Sequence, residues 1–113
     1  MKVLSIVVPC FNSAEYMRKC IDSLLVGKDD VEILIVNDGS NKDDTAKIAD
    51  EYEKKYPTIC KAIHKENGGH GDAVMFGLRA ATGEFFKVVD SDDYLDKKSF
   101  LEKNLFDEVF PLL

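Results

Sequence analysis

Three carboxylates stand within four residues at Asp90-Ser91-Asp92-Asp93, directly after the apolar pair Val88-Val89. An apolar strand that ends in such a cluster concentrates negative charge at one edge of a fold. Two ionised carboxylates about 5 Å apart repel by roughly 3 kcal/mol at an effective dielectric of about 20. Without compensation one of them tends to stay protonated. A divalent cation removes that cost. Oxygen-only ligands favour a hard ion, Mg2+ or Mn2+, over zinc, and Mg2+ commonly fills its remaining positions with water and phosphate. The same segment also fits a solvated acidic turn that caps a following helix.

Asp38 is a second acid with chemical scope. It stands at the exit of the apolar run Val31 to Val36, where a carboxylate can accept hydrogen bonds from a ligand N–H or from ribose hydroxyls. An Asx-turn between strand and helix is the competing role. Asn67-Gly68-Gly69-His70-Gly71 resembles a phosphate-cradling loop only loosely, being neither G-x-G-x-x-G after a first strand nor G-x-x-x-x-G-K-[ST]. Its glycines allow close backbone approach, and Lys65 or His70 could meet a phosphate or simply face solvent. Pro9-Cys10-Phe11-Asn12 places an aromatic ring where a base could stack. No nucleophile–His–acid constellation stands out. His64 ends a run and reads as structural.

The elements that must position these residues alternate. Val3 to Val8 is a continuous Val/Ile-rich run, which suits a parallel strand covered on both faces. Asn12 and Glu15 form a capping-box pattern, followed by Met17, Cys20, Ile21, Leu24 and Leu25 at helical spacing and a stop at Gly27. Val31 to Val36 is a second strand and Asn37 to Ser40 a turn. A helix from about Asp43 carries Ile48, Ala49, Tyr52 and Tyr56 and stops at Pro57. Ile59 to His64 is a third strand and Glu66 to Gly71 a loop. A third helix packs through Ala73, Phe76, Gly77, Ala80 and Ala81. Glu84 to Val89 is a fourth strand, and Ser99 caps a last helix bearing Phe100, Leu101, Leu105, Phe106 and Val109. This β-α-β-α-β-α-β-α order predicts an α/β fold, an open parallel sheet with helices on both faces. Ligands of such folds bind outside the carboxyl ends of the strands. The four loops there hold the candidate residues named above.

The chain has 113 residues, enough for one domain with one core. Its 45% hydrophobic and 32% charged content is that of a soluble globular protein. Fifteen Lys and Arg against 21 Asp and Glu leave a net charge of −6, which argues against nucleic acid as a partner. Three cysteines without a C-x-x-C pair argue against a disulfide framework or a four-ligand zinc site and fit reduced, buried thiols. No apolar run is long enough to span a bilayer.

Four ordered motifs resemble the family 2 glycosyltransferases. Ser5-Ile6-Val7-Val8-Pro9-Cys10-Phe11-Asn12 is similar to the family's opening strand. Glu32 to Thr45 is similar to its D-G-S-x-D-x-T segment with one extra residue. Asn67 through Gly77 matches its N-x-G-x-x-x-A-x-x-x-G loop and helix, and Asp90-Ser91-Asp92-Asp93 its D-x-D. The resemblance implies a Rossmann-like GT-A fold and a nucleotide-sugar donor site, with a UDP-sugar as donor. It implies nucleotide contacts from Pro9, Phe11, Asn12, Asp38, Gly69, Asp90 and Ser91. It also implies a divalent metal, Mn2+ or Mg2+, on Asp92, Asp90 and Asp93, and transfer with inversion to a hydroxyl of an unidentified saccharide or lipid-linked acceptor.

Two departures from the family pattern bear on this. The helix after Gly71 often reads A-R-N in the family but is Ala73-Val74-Met75 here, so a diphosphate contact through that Arg is missing; Lys65, His70 and Arg79 are candidate replacements. The family's catalytic base lies far beyond D-x-D, whereas this chain stops at Leu113. The expectation is therefore a truncated donor-binding half, residues 1–113, inactive alone. It would be cytoplasmic, reach a membrane only through a missing C-terminal part, and be able to pair as a homodimer through an exposed apolar face. The alternatives are a receiver-type phosphoacceptor module and a D-x-D phosphohydrolase. The first lacks an acid at the third strand's end, His64-Lys65. The second needs its acids after the first strand, where Pro9-Cys10-Phe11-Asn12 stands.

Overall fold

The computed structural model describes residues 2–93 and 110–111. Its elements are β1 (Leu4–Cys10), α1 (Met17–Leu24), a 3-10 stretch (Leu25–Asp30), β2 (Val31–Asp38), α2 (Thr45–Lys55), β3 (Cys60–Lys65), α3 (His70–Ala80), β4 (Phe85–Val88) and β5 (Phe110–Pro111). The sheet order is β3-β2-β1-β4-β5. The first four strands are parallel, with Leu4 opposite Val31 and Phe85, and Ile33 opposite Cys60. β5 joins antiparallel at the β4 edge.

Every residue of β1 and β2 is buried. Side chains alternate between the two faces of a strand, and both faces are covered. Leu4, Ile6 and Val8 pack with Met17, Ile21 and Leu24 of α1 and Ile48, Ala49 and Tyr52 of α2. Val7, Leu34 and Val36 pack with Ala73 of α3 on the other side. Apolar runs without polar alternation are what a doubly covered central strand requires.

Glu32 is a carboxylate inside that sheet, 1% exposed. Its Oε2 accepts from Ser5 Oγ (2.5 Å), Thr82 N–H (2.5 Å) and Thr82 Oγ1 (2.9 Å). It ties β1 and β2 to the turn between α3 and β4.

Several expectations need correction. Asn12 does not cap a helix. It adopts φ 48° and its Oδ1 accepts from the N–H groups of Asn41 and Lys42, both at 3.1 Å. α1 starts only at Met17, without a side-chain cap. It also ends before Gly27, and the left-handed residue that follows is Lys28, at φ 51°. Phe76 does not face the core; it is exposed, with the Lys65 ammonium and the Arg79 guanidinium 5.1 and 5.8 Å from its ring centroid. The helix expected after Ser99 lies outside the described residues. Among the described residues no helix is long and apolar enough to cross a membrane.

Candidate functional site

The loop after β1 is sewn to the loop after β2. Asn12 N–H donates to Ser40 Oγ (2.9 Å), Ser13 N–H to Thr45 Oγ1 (2.7 Å), and Ala14 N–H to Asp43 Oδ2 (3.0 Å). Asp43 Oδ1 in turn accepts from Thr45 N–H (3.0 Å) and Thr45 Oγ1 (2.6 Å). The polar residues of the Asp38-to-Thr45 motif therefore hold backbone, and by doing so they fix where Phe11 emerges. Phe11 is 51% exposed beyond the end of β1.

Asp38 reaches the other way. Its carboxylate accepts from Lys65 Nζ (2.5 Å), Gly68 N–H (2.9 Å) and Gly69 N–H (2.9 Å), while Asn67 Nδ2 donates to its backbone carbonyl (3.0 Å). Burial pushes the Asp38 pKa up, but the hydrogen bonds from Lys65 and the two amides outweigh it and hold the carboxyl below its ordinary value. Gly69 sits at φ +96°, which a side chain would strain, and directly precedes α3. Asp38 thus folds the glycine loop and sets the start of that helix.

Lys65 does not stand free for a phosphate. Its side chain is 3% exposed between Asp38 and Asp72, 2.6 Å from the latter. Arg79 lies in the last turn of α3, away from the helix start that faces the site. Of the three candidate replacements for the missing Arg, His70 alone lines the cleft.

These segments enclose a cleft of about 500 Å3 at the carboxyl ends of the strands. Pro9, Phe11, Asp38, Gly69, Asp90, Ser91 and Asp92 all line it. Asp38 and Asp92 therefore share one cleft. Asn12 and Asp93 do not line it: Asn12 is spent on the backbone of residues 41 and 42, and Asp93 closes the acidic turn, its N–H donating to Asp90 O (2.9 Å). Ser91 is 8% exposed and bonds Ser13 Oγ at 2.8 Å, so it anchors the turn to the β1 loop.

Oxygens of Asp90, Asp92 and Asp93 lie within 4.8 Å of one another, all three residues exposed. An all-oxygen set of three carboxylates at the rim of a cleft suits a hard divalent cation. Beneath it lie two buried thiols. Cys20 Sγ bonds Asp90 O at 3.5 Å. Burial pushes Cys10 and Cys20 up to about 12, so both stay protonated and inert. All three cysteines are free.

Sequence reasoning missed Tyr16, which lines the same cleft at 45% exposure, and Ser13 and Asn67. Asn67 carried a signal, as the head of the N-G-G motif. Tyr16 carried none, since the expected capping box put it inside a helix.

A parallel sheet with an acidic turn and an aromatic-lined cleft at its strand ends defines an α/β domain of the kind that binds ligands at that edge. The family model for glycosyl transferase family 2 matches residues 5–105, and the chain belongs to that family. It is 40% identical over 99 residues to the uncharacterized glycosyltransferase EpsJ of Bacillus subtilis (strain 168), covering 87% of this chain and 28% of EpsJ. It also superposes on S. aureus TarS 1-349 in complex with UDP-GlcNAc, with a TM-score of 0.76 and 33% identity over 94% of this chain and 31% of that one. The mannosyltransferase PcManGT from Pyrobaculum calidifontis, in complex with GDP-Man and Mn2+, shares the fold at a TM-score of 0.76 and 23% identity, over 87% of this chain and 30% of that chain. The chain thus spans less than a third of these proteins. The GT-A expectation holds, and neither the receiver nor the phosphohydrolase alternative finds support.

Proposed function

We propose that this chain is the donor-binding half, residues 1–113, of an inverting family 2 glycosyltransferase. It binds a nucleoside diphosphate sugar, a UDP-sugar by preference, together with Mn2+ or Mg2+. The observation that carries the reading is the convergence of Phe11, the Asp38-organised glycine loop and the Asp90–Asp93 turn on one cleft. Phe11 offers a face for the base. Asp92, Asp90 and Asp93 would hold the cation. When bound, that cation supplies Lewis-acid stabilisation of the charge left on the diphosphate as the sugar departs. The likeness to TarS in complex with UDP-GlcNAc supports a uridine nucleotide.

Transfer also needs a base that deprotonates the acceptor hydroxyl. No residue among 1–113 is assigned that role; it belongs to the part of such proteins this chain does not span, as does acceptor choice. The reading puts the protein in the cytoplasm, with which three free thiols agree.

Calorimetry and thermal melting with UDP and Mn2+ test this. Saturation at about 100 times Kd stabilises the fold by about 2.7 kcal/mol. Asp92→Asn abolishes the metal-dependent part. A folded sample that neither shifts nor binds with the metal–nucleotide pair refutes donor binding.

A further inference from the structure

His70 lines the cleft, yet the proposed function gives it no role. It opens α3, and its Nε2 lies 2.7 Å from Asp90 Oδ1, across 20 residues of sequence. Both side chains are more than half exposed, at 63% and 52%. A polar contact so open to water adds little to stability. Fold stability therefore does not account for it.

Each partner is held from behind. Gly69, bonded through its N–H to Asp38, fixes the backbone from which His70 projects. On the other side the Asp90 carbonyl accepts from Cys20 Sγ and from Asp93 N–H. The contact thus joins two separately anchored surfaces, the start of α3 and the turn after β4. Asp90 Oδ1, the atom His70 engages, belongs to the same carboxylate that stands within 4.8 Å of the Asp92 and Asp93 oxygens.

We propose that His70 is a positioning residue for the cation: by donating Nε2–H to Asp90 Oδ1 it fixes the direction of the carboxylate that, with Asp92 and Asp93, would hold a divalent ion. The inference rests on the donor-binding reading. It needs no change of protonation, because any form of the ring with hydrogen on Nε2 makes the bond. Hydrogen-bonded partners behind a ligating carboxylate fix its direction, and their loss costs about 10–100-fold in metal affinity.

The test is Mn2+ binding to the whole chain in the presence of UDP, read by the electron paramagnetic resonance signal of free Mn2+. It compares wild type, His70→Ala and His70→Gln, each first shown to melt like wild type without ligand. The alanine variant loses about 10–100-fold in Mn2+ affinity. The glutamine variant, whose amide N–H reaches the place of Nε2, regains most of it. Wild-type affinity in His70→Ala overturns the role of His70 and leaves donor binding standing. Equal loss in both variants overturns the hydrogen-bond account. A folded wild type that takes up no Mn2+ with UDP overturns the donor reading and the role of His70 with it.

Discussion

α3 lies so close to the sheet that Gly77 has no room for a side chain. A Cβ built there falls 2.5 and 2.6 Å from the two methyl carbons of Val7. Ordinary carbon contacts need about 3.5–4.0 Å, so roughly 1 Å must be found. Val7 cannot supply it by turning: it is β-branched and stiff at χ1, both of its methyls meet the new atom, and it is 0% exposed on a central strand. The helix must move instead. Overpacking of this kind costs about 1–3 kcal/mol. Alanine returns about 1 kcal/mol through helix propensity. With both methyls in conflict the cost sits in the upper half of its range, so Gly77→Ala destabilises by about 1–2 kcal/mol and lowers Tm by roughly 4–10 °C. Guanidinium unfolding of Gly77→Ala, Val7→Ala and the double variant measures it. Val7→Ala alone costs about 2 kcal/mol for its lost methyls, but it vacates the space the new Cβ needs. The pair therefore couples favourably by about 1 kcal/mol or more. A more stable Gly77→Ala, or strict additivity in the cycle, refutes the close approach of α3 to β1.

Acid should weaken the fold in a defined sense. Asp38, Glu32 and Asp43 all have folded-state pKa values lowered from ordinary values of 3.8, 4.5 and 3.8, because hydrogen bonds outweigh their burial. The unfolded chain then binds more protons than the folded one, so their stabilisation is complete above those ordinary values and fades as pH falls through the folded ones. Denaturant midpoints should drop from about pH 5 to about pH 3, and Asp38→Asn should flatten that slope; a midpoint that rises on acidification contradicts the sign. Glu32→Met removes the buried acceptor of Ser5 Oγ and of Thr82 N–H and Oγ1, leaves those donors unpaired, and should cost about 1–3 kcal/mol in urea unfolding. An unchanged midpoint would show that Glu32 is not what ties the turn before β4 to the sheet.

The order of elements was readable because each central strand is a run of Val, Ile and Leu buried on both faces, and each helix shows its apolar side. The binding edge followed from that order. Short-range reasoning failed where a distant partner won. Asn12 looked like a cap for the helix beside it, but its side chain took the backbone N–H groups of Asn41 and Lys42, and α1 began five residues later. Phe76 fell at a core-facing spacing, but two cations cover it on the outside. Lys65 read as a free cation, but Asp38 and Asp72 both claim it. The His70–Asp90 contact spans different elements, and no local pattern announces it.

The motif residues divide into those that face the cleft and those that build it. Ser40, Asp43 and Thr45 satisfy the backbone N–H groups of residues 12 to 14, and Asp38 satisfies those of residues 68 and 69. A loop that carries a ligand contact cannot also bury its own amides in a sheet, so something polar must satisfy them. Here the residues after β2 do that for the loops on either side of it, because β2 lies between β1 and β3 in the sheet. The strand order thus explains why the β2 exit is the richest in polar side chains and yet supplies few free ones. What remains open toward a ligand comes from the other loops of that edge: the Phe11 ring after β1, the start of α3 after β3, and the carboxylates after β4.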